Sequence, residues 1–346
     1  MRKLKAIRQL PPSLTHGAGA APGAPLRFAV VLPCFNEEGA ILETIAELRA
    51  SLREMGPYEL IVVDDGSTDK TPQLLEAAAR EDSALRVITH RRNRGYGASL
   101  KTGIMRTTAD LIVITDADQS YPNDRIPDLL ELAGDADMVV GSRNGPAARH
   151  SYLRRLPKLF LRLYASWIAG TAIPDLNSGL RVFRRDVAAY FSYLLSDGFS
   201  FTTTITLTML CNNYVVHYEP VDYSPRVGKS KIRPIRDTLR FLQLIVRAGL
   251  CFAPLRVLIP CVLLVAGLLG ISVAHDVISA SGLTSRTVTL FGLGANVALF
   301  TMLADVVHIF HKRMAAEIVQ SKRQTLERDV ELGAVEAGDR RPSRAA

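Results

Sequence analysis

The apolar, β-branched run Leu111-Ile112-Val113-Ile114-Thr115 ends abruptly in Asp116-Ala117-Asp118. Such a run fits a buried parallel strand and is too short for a helix of its own. Side chains two apart in an extended segment point the same way, so Asp116 and Asp118 converge at the strand's C-terminal end. Open α/β sheets take their ligands at that end. Two clustered carboxylates repel one another without a cation. Hard cations such as Mg²⁺ or Mn²⁺ prefer oxygen ligands and share them with substrate phosphates. A solvated acidic turn is the alternative that this stretch leaves open.

The preceding chain supplies more strands of the same kind. Phe28 to Pro33 is a first strand that Pro33 is expected to stop, followed by Cys34-Phe35-Asn36-Glu37-Glu38 and a helical pattern through Ile41, Ile45 and Leu48. Tyr58 to Val63 is a second, ending in Asp64-Asp65-Gly66-Ser67-Thr68-Asp69 before a helix over about 71–79. Leu85 to Ile88 and Asp137 to Arg143 are shorter strands. Successive βα units predict a parallel sheet with right-handed crossovers. Asp65 can accept hydrogen bonds from a nucleobase or ribose, although Asp, Gly, Ser and Thr also make an ordinary turn and helix cap. Glu37 and Glu38 suit either a loop over a nucleotide or a helix start. From His90 to Lys101 the chain is basic, with Gly95 and Gly97 ahead of a helix, which reads as an anion site. It matches neither a Walker loop nor a dinucleotide fingerprint.

Net charge is +8, which suits nucleic acid, anionic lipid or a phosphorylated substrate. Zinc-finger spacing and glycine–aromatic boxes are absent, so no nucleic-acid partner is expected. Four cysteines, Cys34, Cys211, Cys251 and Cys261, lack metal or redox spacing and read as reduced thiols. Residues 1–25 read as a disordered basic leader and 26–232 as a cytosolic α/β domain. Within that domain, Ser151 to Ala169 is basic and amphipathic, fit for a membrane surface or for an ordinary surface helix. Residues 233–250 form an amphipathic juxtamembrane helix. The region 251–311 holds two apolar stretches, of about 18 and about 23 residues, each enough to span a bilayer. Residues 312–346 are a charged tail. Arginines and lysines flank both outer ends of the pair, so the positive-inside rule places both termini and the α/β domain in the cytosol.

Joined together, these features suggest transfer from a nucleoside diphosphate donor to a lipid-borne acceptor. The chain also resembles a known family. The ordered set is Pro33-Cys34-Phe35-Asn36-Glu37, Val63 to Asp69, Asn93 to Gly97, Asp116-Ala117-Asp118, Gly141-Ser142-Arg143, Asn177-Ser178-Gly179 with Arg181, and Gly228-Lys229-Ser230-Lys231. It is similar to family 2 inverting glycosyltransferases of the polyprenyl-phosphate type. The resemblance implies an A-type glycosyltransferase fold, Rossmann-like with a mostly parallel sheet, followed by two transmembrane helices. It implies a donor pocket of Pro33, Phe35, Glu37, Asp64, Asp65, Ala117 and Ser120. Asp116 and Asp118 match its motif for Mg²⁺ or Mn²⁺, with Asp118 the direct ligand, and Arg143 and Lys231 join them as catalytic residues. Arg154, Arg155, Arg226, Lys229 and Ser230 match phosphate and acceptor positions. The implied substrates are a UDP- or GDP-linked sugar and a polyprenyl phosphate in a bacterial cytoplasmic membrane, with the acceptor phosphate as nucleophile. A homo-oligomer is left open. Ser120 stands where relatives carry Gln, with Gln119 one residue early, and Phe35 stands where they carry Tyr. A processive polysaccharide synthase of the same superfamily would carry a Gln-x-x-Arg-Trp signature, yet the single tryptophan, Trp167, lies in Ala-Ser-Trp-Ile. The other rivals are a nucleotidyltransferase, which would not need two spans, and a non-catalytic nucleotide-sugar-binding protein, against which the intact Asp116 and Asp118 argue.

Overall fold

The structure, a computed structural model, describes residues 27–82, 84–144, 152–224, 234–280 and 282–310 of the 346, with backbone alone for 144, 152–158 and 234–241. Among these residues lies one seven-stranded sheet. Its strands are β1 (Phe28–Cys34), β2 (Tyr58–Asp64), β3 (Leu85–Thr89), β4 (Leu111–Ile114), β5 (Met138–Asn144), β6 (Arg181–Arg184) and β7 (Val216–Asp222), in the order β3-β2-β1-β4-β6-β5-β7. All run parallel except β6, which is antiparallel to both β4 and β5. The mostly parallel sheet agrees with the reading of repeated βα units.

The central strands are apolar on both faces because helices cover both. On one side α1 (Ile41–Leu52) buries Ile41, Ile45, Leu48 and Leu52 against Val30, Leu32 and Val62. α2 (Thr71–Glu81) adds Leu75. α3 (Tyr96–Met105) lies against Val31, so close that a Cβ on Gly103 would stand 2.4 Å from the valine methyl. Further along come α4 (Ile126–Leu132), α5 (Tyr152–Ala169) and α6 (Arg185–Tyr190), then α7 (Phe201–Cys211) and α8 (Pro234–Phe252). α7 is threonine-rich yet buried along most of its length. It tolerates this because hydroxyls such as those of Thr204 and Thr206 return hydrogen bonds to carbonyls four residues back.

Pro33 does not stop β1, which runs on to Cys34 and pairs Pro33 with Val63. The β4 ladder on the other side ends at Val31, so the missing proline N–H withholds no bond there. Helices α4 and α6 were not foreseen. Each is short and opens beside charged side chains rather than on a clear apolar period.

One compact unit ends at Cys261 and a second begins at Val262. α9 (Pro254–Ile278) and α10 (Ser285–Phe310) are long and apolar enough to cross a membrane. Leu263, Leu264 and Ile271 on α9, and Phe291, Phe300 and Met302 on α10, stand exposed. Around the turn between them four polar groups face one another: Asp276 accepts hydrogen bonds from Thr284 and Thr287, and Thr287 meets Ser272. Large apolar side chains exposed along helices of this length suit a lipid surrounding.

Candidate active site

The C-terminal ends of β1, β2 and β4 open onto one set of loops. The β1–α1 and β2–α2 loops fasten each other by reciprocal bonds. The Asn36 amide donates to Ser67 Oγ (2.9 Å) and the Thr68 amide to Asn36 Oδ1 (2.7 Å). Likewise the Glu37 amide donates to Thr71 Oγ1 and the Lys70 amide to Glu38 Oε2. Asn36 holds φ at +54°, a left-handed conformation that asparagine tolerates better than most residues. Pro33 is buried and Phe35 half-buried beneath this double loop.

Asp64 is fully buried and accepts the Ser67 amide through Oδ1, while its Oδ2 has no hydrogen-bond partner among the described residues. Asp65, also buried, takes three donors. His90 Nδ1 lies 2.7 Å from Oδ1, and the amides of Arg94 and Gly95 donate at 2.9 and 2.8 Å. His90 Nε2 is 2.9 Å from Thr102 Oγ1. The basic glycine loop is therefore no open anion site. Two of its amides already hold the Asp65 carboxylate, and the first turn of α3 is covered by another segment. The Ala98 amide donates to the Asp197 carbonyl, and a Cβ on Gly97 would fall 2.0 Å from the Ser196 carbonyl. Glycine stands at 97 because the 196–198 backbone crosses there, not to admit a phosphate.

Asp116 and Asp118 follow β4 as the alternation demands. Asp116 Oδ1 accepts the Tyr96 hydroxyl at 3.0 Å, and Asp118 Oδ1 accepts the Ser120 amide at 3.1 Å. Burial, with the Asp116 carboxylate beside it, pushes the Tyr96 phenol well above its ordinary value, so it stays a hydrogen-bond donor. Gly179 lies across the Asp116 carboxylate: a Cβ there would meet Oδ2 at 2.6 Å and Oδ1 at 2.7 Å. The Gly179 amide donates to Tyr121 Oη at 2.7 Å. Directly after Asp118, Gln119 takes φ +58°, and its Nε2 and the Ser120 hydroxyl are buried without a hydrogen-bond partner among the described residues. Strain and orphaned polar atoms of this kind gather at binding sites. Ala117 is buried, its carbonyl accepting Thr44 Oγ1.

A divalent cation fits this donor set. Among the described residues no group of three or more His, Cys, Asp or Glu comes together, and the carboxylates available at this strand end are Asp116 and Asp118. Mg²⁺ and Mn²⁺ are commonly held this way, with substrate phosphates and water completing the shell. Gly179 packs its backbone directly on the Asp116 carboxylate, which confines the oxygens the cation would use.

Arg143 leaves β5 and meets Asp175 as a fork, Nε to Oδ2 at 2.7 Å and Nη2 to Oδ1 at 2.8 Å, with the guanidinium 5.4 Å from the Tyr223 ring centre. Much of its charge is thus already answered within the protein. Burial alone would raise the Asp175 carboxyl, but the Arg143 hydrogen bonds and charge reverse this and hold it below the usual range. Arg181, fully buried on β6, sends hydrogen bonds to the carbonyls of Ser178 and Leu176 and to Thr206 Oγ1. It clamps the turn that carries Gly179. Glu37 lies half-buried with its amide and carbonyl both engaged. Arg226, Lys229, Ser230 and Lys231 lie outside the described residues. For Arg154 and Arg155 the structure gives the α5 backbone only. Asp175, Tyr121, Tyr223 and Phe199 were not singled out in the sequence. Each acts through a residue distant in sequence, and no local spacing marks them.

The glycosyl transferase family 2 model matches residues 29–191. The chain is 32% identical over 243 residues to the undecaprenyl-phosphate 4-deoxy-4-formamido-L-arabinose transferase of Pseudomonas paraeruginosa, covering 66% of this chain and 67% of that protein. It is 30% identical over 221 residues to the low-salt glycan biosynthesis hexosyltransferase Agl6 of Haloferax volcanii, covering 62% and 52%. It thus spans about half the length of the archaeal relative and two thirds of the bacterial one. Among solved structures, glucosyl-3-phosphoglycerate synthase of Mycobacterium tuberculosis, in complex with Mn²⁺, UDP and phosphoglyceric acid, superposes with a TM-score of 0.51. That likeness, at 19% identity over 65% of this chain and 78% of that one, shows a shared fold. The α/β domain is of the A-type glycosyltransferase class. The chain belongs to glycosyl transferase family 2.

Proposed function

We propose that this protein transfers a sugar from a nucleoside diphosphate to a polyprenyl phosphate in the membrane that α9 and α10 cross. The observation that carries the reading is the pair Asp116 and Asp118 at the C-terminal end of β4, with Gly179 packed on Asp116, on the same chain as two exposed apolar helices of membrane length. The similarity to an undecaprenyl-phosphate sugar transferase supports the acceptor class. Donor nucleotide, sugar and membrane are narrower parts of the proposal: UDP or GDP, and a bacterial cytoplasmic membrane with the α/β domain and both termini in the cytosol.

In the proposed reaction an oxygen of the acceptor phosphate attacks the anomeric carbon of the donor. The new bond from the phosphate oxygen to that carbon forms as the bond from the carbon to the donor's diphosphate oxygen breaks, with inversion, and the nucleoside diphosphate leaves. The acceptor phosphate is ionised at neutral pH, so no strong base is required. A divalent cation held by Asp116 and Asp118 would neutralise the leaving diphosphate. Asp65 keeps the β3–α3 loop against the donor pocket, and the fastened β1–α1 and β2–α2 loops form its floor. Arg143, Arg154, Arg155, Arg226, Lys229, Ser230 and Lys231 are proposed for donor and acceptor phosphates, Arg143 while remaining paired with Asp175.

The test uses membranes containing the full-length protein, polyprenyl phosphate, Mn²⁺ or Mg²⁺, and a panel of radiolabelled UDP- and GDP-sugars. Label in the organic phase that disappears with EDTA supports the proposal and names the sugar. Label in an alkali-stable polymer would favour a processive synthase, and tight nucleotide retention without transfer would favour a binding protein.

A further inference from the structure

We infer that Tyr96 is a positioning residue for Asp116, setting the plane of the carboxylate that the proposed metal site uses. The inference rests on that site reading and deepens it. An aspartate χ2 is a broad, roughly two-fold torsion, so packing of the stem does not fix which way the two oxygens face. Something must hydrogen-bond one of them. Tyr96 Oη does so at Oδ1, 3.0 Å away. Gly179 bounds the same carboxylate on another side, with room for a hydrogen but not for a methyl group. The oxygens are thus set by a donor and confined by backbone.

Tyr96 is itself held. Its ring stacks on Phe199, with centroids 5.7 Å apart and planes at 19°. The two rings ride on segments locked to each other. Gly95 and Gly97, flanking Tyr96, abut the backbone of residues 196–198. The Ala98 amide donates to the Asp197 carbonyl, and Lys101 Nζ lies 2.5 Å from Asp197 Oδ1 and donates to the Leu195 carbonyl. A loop more than ninety residues further along the chain therefore determines where the Tyr96 hydroxyl stands. Phe199 is 60% exposed and so is not placed there to fill a core. Backing the tyrosine explains it.

The experiment uses the full-length protein in detergent or nanodiscs. Binding of UDP, and separately of GDP, is followed calorimetrically at rising Mn²⁺, giving the Mn²⁺ concentration for half-maximal nucleotide affinity. Tyr96→Phe keeps the stack and removes the hydroxyl. It is expected to raise that concentration about tenfold, the usual scale for a hydrogen bond to a charged group, while the metal-independent part of nucleotide binding and the melting temperature stay unchanged. Phe199→Leu keeps the hydroxyl, loosens its backing and should give a smaller rise. Asp116→Asn is the control for the site itself. If Asp116→Asn abolishes the Mn²⁺ dependence and Tyr96→Phe matches the wild type, the positioning role is wrong and the metal site stands. If Asp116→Asn and Asp118→Asn both match the wild type, the site reading has failed; if only Asp118→Asn loses the Mn²⁺ dependence, the metal site stands and the positioning role of Tyr96 is overturned. Should Tyr96→Phe lower the melting temperature, Phe199→Leu decides: a raised Mn²⁺ requirement at unchanged melting temperature supports the role, and an unchanged requirement overturns it.

Discussion

Arg143 and Asp175 meet as two parallel hydrogen bonds, 2.7 and 2.8 Å long, and the Arg143 amide adds a third contact to the same carboxylate at 3.2 Å. The pair ties the end of β5 to the turn that leads, through Asn177 and Ser178, to Gly179. The arginine that sequence resemblance counts among the catalytic residues is also a structural anchor of the site.

Removing one partner leaves the other charge largely buried and unanswered, so Asp175→Asn should lower stability by about 3 kcal/mol at neutral pH. The pH dependence has a definite sign. The folded-state carboxyl of Asp175 lies below its ordinary value. Its contribution is therefore complete above the ordinary carboxylate range, near about pH 4, and fades as pH falls through the lower folded value. Urea melts of wild type and variant should differ fully at pH 7, and the difference should narrow as the pH falls below the ordinary carboxylate range. A difference that persists undiminished in acid would refute the pairing as its source.

Gly97→Ala is expected to destabilise by about 2 kcal/mol or more, because the new methyl group meets the Ser196 carbonyl, which is backbone and has little freedom to move. Donor affinity should fall with it, since the same loop carries the amides that hold Asp65. Thermal melting beside nucleotide titration measures both. An alanine variant that melts and binds like wild type would show that the 196–198 segment is not packed on α3.

Much of this was legible in the chain. The strand ending in Asp116 and Asp118 declares itself by an apolar run that stops at two acids, and α1 by Ile41, Ile45 and Leu48 at helical spacing. The basic glycine loop was misjudged for a physical reason. Its glycines and amides do serve anions, but the carboxylate is the protein's own Asp65, twenty-nine and thirty residues earlier. Sequence spacing shows that a segment can bind an anion; only the fold shows which one. Arg181 carries the same lesson, because a fully buried arginine bonded to two carbonyls and a threonine looks in sequence like any cation near a strand.

Asp65→Ala would strand the His90 ring and two amides at once, a loss of about 3 kcal/mol. If Asp65 serves mainly to hold the loop, stability and donor affinity fall together. If it also contacts the nucleoside, Asp65→Asn should lose donor affinity well beyond its change in melting temperature. Parallel measurement of melting and of UDP and GDP binding separates these outcomes. Wild-type values of both in Asp65→Ala would contradict the hydrogen bonds described.

Gly179→Ala is the most discriminating single change. Its Cβ would lie 2.6 to 2.7 Å from the Asp116 carboxylate oxygens and 2.8 Å from its carbon, distances that real Cβ atoms do not adopt. The aspartate is a side chain and can turn away, whereas the turn is held by the Gly179 amide on Tyr121 and by Arg181 beneath it. Asp116 should therefore yield, breaking its bond with Tyr96, while the fold survives. The expected result is a melting temperature within a few degrees of wild type together with a fall in sugar transfer of at least about a hundredfold, on the scale of losing an electrostatic contact to the reacting groups. Raising Mn²⁺ should recover part of the lost rate, because the displaced carboxylate can still be drawn back. Full activity in this variant would mean that the orientation Asp116 holds against Gly179 and Tyr96 does not matter to catalysis.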